Sequence, residues 1–224
     1  MNKHLHSRRS LVLALLLCTA AVLVAGCSKR EPITFTFERI NADGSAYAGS
    51  GSYATDPWEC VLDVRTSLIW EVKSAAPGLR HADNTYTWHF PPEADIYTRG
   101  DAGKPDGGSC NGSACDTWAF AETVNEAGLC GYQDWRIPTK EELGSIVHPA
   151  IKPPGPTLEH SFFPNTSTAE YWTSSAYAYH SPGAWTWSFF NGLDRVDLKE
   201  NAKHIRLVRG EAGTRPPPPR GPAN

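Results

Sequence analysis

Residues 33–40 alternate apolar Ile and Phe with polar Thr, Glu and Arg, which predicts a strand. Asn41-Ala42-Asp43-Gly44 is a turn signal, and the Gly, Ser, Ala and Tyr of residues 44–56 predict a loop. Two apolar runs, 60–64 and 68–72, flank Arg65-Thr66-Ser67 and predict a hairpin. Residues 86–90 predict a further short strand, and the Gly, Pro and Asp of 91–114 an irregular excursion. Asp116 is placed to cap a helix over 117–127, with Phe120, Val124 and Ala127 on one face, Trp118 and Ala121 beside them, and Gly128 at the C-cap.

A second helix is predicted from Thr139. Thr139-x-x-Glu142 is a capping box, Pro138 holds Ile137 extended, Leu143, Ile146 and Val147 supply an apolar face, and Pro149 ends the helix by position 148. Residues 148–168 hold several prolines and little periodicity, so they predict loop. Strands follow at 170–175, 184–190, 193–198 and 204–209. Asn191-Gly192 predicts a tight turn with both central residues at positive φ. The last residues, Thr-Arg-Pro-Pro-Pro-Pro-Arg-Gly-Pro within 210–224, predict a disordered polyproline II tail. No repeat period is present, and the order of elements predicts an α+β domain.

Composition sharpens this picture. Among 224 residues are 19 Gly, 18 Pro, 8 Trp and a single Met, a balance that favours strands and loops. There is no basic bias to attract nucleic acid. Residues 1–26 carry Lys3, Arg8 and Arg9, then an apolar run at 11–24, the pattern of an export signal and too short for a comfortable membrane span. Val24-Ala25-Gly26-Cys27 resembles a bacterial lipobox. It predicts lipidation of Cys27 and anchorage to a membrane, and Ser28, rather than Asp, points to an outer-membrane lipoprotein of the cell envelope. Cleavage there removes three cations and no anion, leaving 18 Lys and Arg against 24 Asp and Glu, a formal charge of −6. The expected organisation is a signal at 1–26, a tether and strand at 27–57, the main domain at 58–210 and the tail at 211–224.

Four cysteines then remain: Cys60, Cys110, Cys115 and Cys130. In an exported chain they predict two disulfides with three possible connectivities. A local Cys110–Cys115 clip and a long-range Cys60–Cys130 bond are expected. The spacings lack the close ligand pairs of a zinc site, and no cofactor or metal is expected.

The densest stretch is residues 131–143, Gly-Tyr-Gln-Asp-Trp-Arg-Ile-Pro-Thr-Lys-Glu-Glu-Leu. Asp134, Glu141 or Glu142 could serve as acid, base or metal ligand. The favoured reading is structural: Glu142 in the capping box, Trp135 in the core, and an ion pair between Asp134 and Arg136 around it. Asp134-Trp135-Arg136-Ile137-Pro138-Thr139-x-x-Glu142-Leu143 resembles the signature of the Lcl C-terminal domain family, bacterial domains of unknown function. Further segments agree in order: Cys60-Val61-x-Asp63, Thr66-x-Leu68-Ile69-Trp70-Glu71, Val124-Asn125-x-x-Gly128-Leu129-Cys130-Gly131, Phe163-Pro164-Asn165-Thr166, Tyr171-Trp172-Thr173-Ser174-Ser175 and Ile205-Arg206-Leu207-Val208-Arg209. The family often has Gly where this chain has Ser67, so the early hairpin turn is a point of departure. The resemblance implies a fold like C-type lectins and formylglycine-generating enzymes: two helices packed on a twisted antiparallel sheet, with long loops.

The functional expectation is a non-catalytic envelope lipoprotein with a lectin-like binding or adhesion domain, its ligand a glycan or an envelope protein. Trp185 and Trp187, on one face of the late hairpin, are the candidate ligand surface, although aromatics in strands usually pack inward. The calcium-binding Glu-Pro-Asn and Trp-Asn-Asp tripeptides of C-type lectins are absent. The alternatives are a structural subunit of an envelope assembly and, more weakly, a formylglycine-generating-type enzyme. That chemistry needs reactive thiols, whereas all four cysteines are expected to be paired. No Gly-x-Ser-x-Gly or His-Glu-x-x-His motif occurs, and the histidines are scattered.

Overall fold

The structure, a computed structural model, describes residues 34–91 and 100–213. The signal segment, Cys27, part of the 91–114 excursion and nearly all of the Pro-rich tail lie outside the described residues. Among the described residues no helix is long and apolar enough to cross a membrane.

Among the described residues two antiparallel sheets and two helices make a mixed α and β domain. The first sheet has the order β1 (Phe37–Ile40), β2 (Cys60–Asp63), β3 (Leu68–Glu71), β7 (Val208–Arg209). The second has the order β4 (Glu170–Ala176), β5 (Gly183–Ser188), β6 (Leu193–Leu198). The single sheet expected from the resemblance is thus two. The helices α1 (Thr117–Ala127) and α2 (Lys140–Ser145) fall between β3 and β4 in the chain.

The β2–β3 hairpin turns on Asp63, which is buried. Its carboxylate accepts the Arg65 amide at 3.0 Å and the Thr66 hydroxyl at 2.7 Å. Ser67 closes the turn with φ of 66°, the left-handed region that favours glycine. Ser67 thus places a side chain at a turn position whose backbone favours glycine.

Helix α1 starts where its cap chemistry dictates. Asp116 accepts the Ala119 amide at 2.9 Å through one oxygen and the Asp106 amide at 3.0 Å through the other, so the cap also gathers the preceding loop. Gly128, at φ 74°, returns its amide to the Val124 carbonyl. The buried face is Thr117, Phe120, Ala121 and Val124. Ala127, expected inward, is exposed, because the apolar stripe begins one turn earlier, at Thr117.

Helix α2 carries the complete capping box: Thr139 accepts the Glu142 amide at 3.2 Å, and Glu142 accepts the Thr139 amide at 2.8 Å. It ends at Ser145, before the expected limit. Ile146 and Val147 make i→i−3 bonds, and the His148 amide turns to the Thr157 carbonyl at 2.8 Å.

The late strands are where the alternation predicts. The connection between β5 and β6 differs: Ser188 and Leu193 are the last cross-strand pair, so the loop has four residues. Only Gly192 of the Asn-Gly pair takes positive φ, at 69°. Phe189 explains the longer loop, since it is fully buried and its amide bonds the Ala169 carbonyl. The expected strand at 204–209 shrinks to Val208–Arg209 because this segment keeps changing partners. Lys203 bridges Tyr86, His204 bridges Tyr171 in the second sheet, and Val208 bridges Arg136 while pairing with Trp70 in the first. Residues 86–90 likewise form isolated bridges rather than a strand. Tyr86, Trp88 and Phe90 alternate inward as predicted. The Trp172 indole donates to the Tyr86 carbonyl and the Trp88 indole to the Thr173 carbonyl, both at 2.9 Å.

Both expected disulfides are formed. Cys60–Cys130 ties β2 to the end of α1 across a sequence separation of 70, and Cys110–Cys115 clips the loop before Asp116. Closing a loop as long as the first contributes about 4 kcal/mol by restricting the unfolded chain.

Candidate ligand-binding surface

The signature stretch resolves into support. Trp135 is buried, its indole bonded to the Leu129 carbonyl at 3.0 Å. The Asn125 side chain clamps the Trp135 main chain at both amide and carbonyl, fixing it to α1. The expected pairing of Asp134 with Arg136 is superseded. Asp134 receives two hydrogen bonds from Arg209, at 2.7 and 2.9 Å, and Arg136 makes a bidentate pair with Glu142 at 2.6 and 2.7 Å. The reason is the backbone bridge of Arg136 to Val208, which brings Arg209 beside Asp134 while Arg136 faces the first turn of α2. The hydrogen bonds from Arg209 hold the Asp134 carboxyl below its ordinary value. Burial pushes Glu142 up, but Arg136 and the Thr139 amide outweigh it and hold it down as well. Pro138 is buried, and its carbonyl accepts the Ser174 amide at 2.8 Å, linking the stretch to β4.

A buried ionic cluster that the sequence did not signal joins β3 to the closing segment. Glu71 pairs with Lys73 at 3.0 Å and accepts the Leu207 amide at 2.9 Å. Arg206 donates to the Glu71 carbonyl at 2.5 Å and to the Thr166 hydroxyl at 2.7 Å. All three side chains are essentially inaccessible. Burial pushes the Lys73 ammonium down and the Tyr171 phenol, nearby, up to about 12. With every charge engaged internally, the cluster is a structural clamp. Among the described residues, no group of three or more His, Cys, Asp or Glu could hold a metal ion.

The outward face of the second sheet is different. On β5, Ala184, Thr186 and Ser188 are buried while Trp185 and Trp187 point to the other side and are half-buried. The two Trp have separate roles. The Trp187 indole donates to the Lys140 carbonyl at 2.6 Å, and its ring lies so close to Gly144 that a Cβ there would stand 2.5 Å from it. Trp187 therefore docks α2 onto the sheet. Trp185 begins an aromatic row instead. Lys140 sets its ammonium 4.1 Å from the ring centroid, and Tyr177 meets the ring edge-on at 5.4 Å. Tyr179 extends the row, 5.6 Å from Tyr177, and is 90% exposed. Val196, opposite Trp185, and Leu198 continue the apolar surface.

This aromatic row borders an open cleft of about 570 Å³, with Asp101, Lys104, His180, Pro182, Leu198 and Lys199 among its lining residues. Lys199 donates to the Asp101 carbonyl and lies 4.2 Å from the Trp88 ring centroid, and burial pushes its ammonium down. A second open depression, of about 690 Å³, lies over Tyr132, Gln133, Asp134 and Arg209. There Arg209 stacks 3.7 Å from the Tyr132 ring centroid, which occupies the aromatic face. Lys140 covers Trp185 much as Arg209 covers Tyr132, so the open member of the row is Tyr179; Tyr177 and Tyr179 are the members that sequence reasoning missed. Their signal was present in the alternating Ala-Tyr-Ala-Tyr of 176–179, just after a predicted strand.

The domain of two antiparallel sheets and two helices thus carries its aromatic row on a hairpin and the adjoining loop. The Lcl C-terminal domain family model matches residues 59–209, and the chain belongs to that family. No curated protein and no solved structure matches it.

Proposed function

We propose that this protein is a non-catalytic binding or adhesion module of the cell envelope. In this reading the lipid anchor at Cys27 holds it at the outer membrane, and the row Trp185–Tyr177–Tyr179 contacts a glycan or protein ligand. The observation that carries the reading is Tyr179. A large aromatic displayed at 90% exposure, backed by two further rings, is costly to leave in water and suited to stacking on a ligand. The fold relationship to C-type lectins belongs to the same reading, and so does the absence of chemistry: the disulfides engage Cys60, Cys110, Cys115 and Cys130, leaving none of these as a nucleophile.

A glycan-array screen of the protein, repeated with Trp185→Ala and Tyr179→Ala, tests it. Binding to a defined glycan that both substitutions weaken supports the ligand surface. Absence of binding to every glycan favours the alternative, a structural subunit of an envelope assembly that uses the same surface to meet a protein.

A further inference from the structure

Among the described residues strand β6 is an edge of its sheet, paired on one side only. The Lys199 amide bonds the Pro182 carbonyl, so Lys199, Asp197, Arg195 and Leu193 direct their main-chain groups toward β5. Asp194, Val196 and Leu198 therefore direct theirs outward. The Leu198 amide is held by its own Asp197 carboxylate at 2.8 Å and the Leu198 carbonyl by the Asn201 amide. Among the described residues the outward groups of Asp194 and Val196 have no main-chain partner of this kind. Leu193, Val196 and Leu198 are exposed apolar residues on this edge.

Natural edges are defended by charge, and β6 carries Asp194, Arg195 and Asp197. Their order makes the defence one-sided. When a second β6 runs antiparallel about a two-fold axis through Val196, Arg195 of each copy lies opposite Asp197 of the other, and Val196 lies opposite itself. Asp194, already paired with Lys140 at 3.1 Å, lies opposite Leu198. Moving the register by one residue, onto Arg195, sets the two arginines against each other and loses this match. In the favoured register Val196 forms a reciprocal pair of backbone bonds. Asp197 already holds Lys203 at 2.5 Å and the Asn201 side chain at 2.8 Å, and Arg195 lies 3.7 Å from Glu170 in its own chain, so Arg195 of the second copy joins an existing charge network; in doing so it competes with the Leu198 amide for Asp197 and releases that amide for the Asp194 carbonyl opposite.

We infer that the protein self-associates through β6, as an antiparallel two-fold pair centred on Val196 that joins two three-stranded sheets into one of six strands. The two Trp185 rows then share one face, about 14 Å apart across three strand spacings. The pairing stands whether or not those rows bind a glycan. Because few bonds form at first contact, it is a weak association that membrane anchorage strengthens by raising local concentration.

The test uses the full-length chain in membranes. Directly opposed residues of such a pair have Cα atoms about 5.5 Å apart, within disulfide reach, whereas Leu193 is about 20 Å from its own copy. Val196→Cys should form a covalent dimer under mild oxidation about ten-fold faster than Leu193→Cys, since only position 196 comes within reach of itself. The wild-type chain run in parallel reports any link through Cys18 or Cys27. Val196→Pro, which removes an outward amide and no bond to β5, should abolish the concentration-dependent dimer seen by sedimentation while leaving circular dichroism unchanged. Equal rates for Val196→Cys and Leu193→Cys, or a wild-type chain that stays monomeric at every concentration, would overturn the inference.

Discussion

The Ser67 amide donates to the Asp63 carbonyl at 2.7 Å while Ser67 holds φ at 66°. The bond fixes the β2–β3 turn in a conformation that L residues other than glycine reach only with strain. The left-handed region costs such a residue about 1–2 kcal/mol, and glycine returns about 0.5–1 of that through its freer unfolded chain. Ser67→Gly should therefore stabilise the domain by about 0.5–1 kcal/mol, raising Tm by roughly 2–3 °C in thermal unfolding. An unchanged or lower Tm contradicts the turn assignment.

Acid should weaken the domain in two stages. Burial pushes His204 below its ordinary value of 6.5, so the folded state resists a proton that the unfolded state accepts. Its contribution is complete above 6.5 and is lost as pH falls below that value. Glu142 and Asp134 are held below 4.5 and 3.8, and the stability they supply is lost as pH falls below those values. Urea unfolding between pH 8 and pH 3 should show stability falling across both windows. Glu142→Gln should make the lower one shallower, with Asp134 keeping its share, and leave the upper one unchanged.

Removal of Glu71 should be the most damaging single change in the buried cluster. It strips the counter-charge from Lys73 and leaves the Leu207 amide without its acceptor. Breaking a buried pair in this way costs about 3–5 kcal/mol, so Glu71→Ala should lose at least that in chemical denaturation. Lys73→Met should cost less, because Glu71 keeps the Leu207 amide and the nearby Arg206 charge. Equal losses would contradict the cluster as described.

Local chemistry was legible in the chain. Asp116, Thr139, Glu142 and Gly128 act within one helical turn of themselves, so their pattern declares both helix starts and the α1 stop. Alternation placed β5 and β6 and set Trp185 and Trp187 on one face. What stayed hidden depends on distant partners. Arg209 reaches Asp134 only because Val208 bridges Arg136, and 204–209 fails to remain one strand because 203–209 bonds to four separate segments in turn. Phe189 lengthened the Asn191-Gly192 turn by packing into a core that the turn signal does not describe. The proposed ligand surface was half visible. Trp187 was claimed by Gly144 on α2, a contact between sequence-remote elements, while Tyr177 and Tyr179 join Trp185 only when the loop folds back along β5.

The most direct test of the binding surface is a comparison of ligand affinity between the wild-type protein and Tyr179→Ala, Trp185→Ala and Arg209→Ala, with the fold of each checked by circular dichroism. Tyr179→Ala and Trp185→Ala should each weaken binding about ten-fold or more, the loss expected of an aromatic anchor, and Arg209→Ala should leave it unchanged. Unaltered affinity in both aromatic variants, or a loss confined to Arg209→Ala, would contradict the proposed surface.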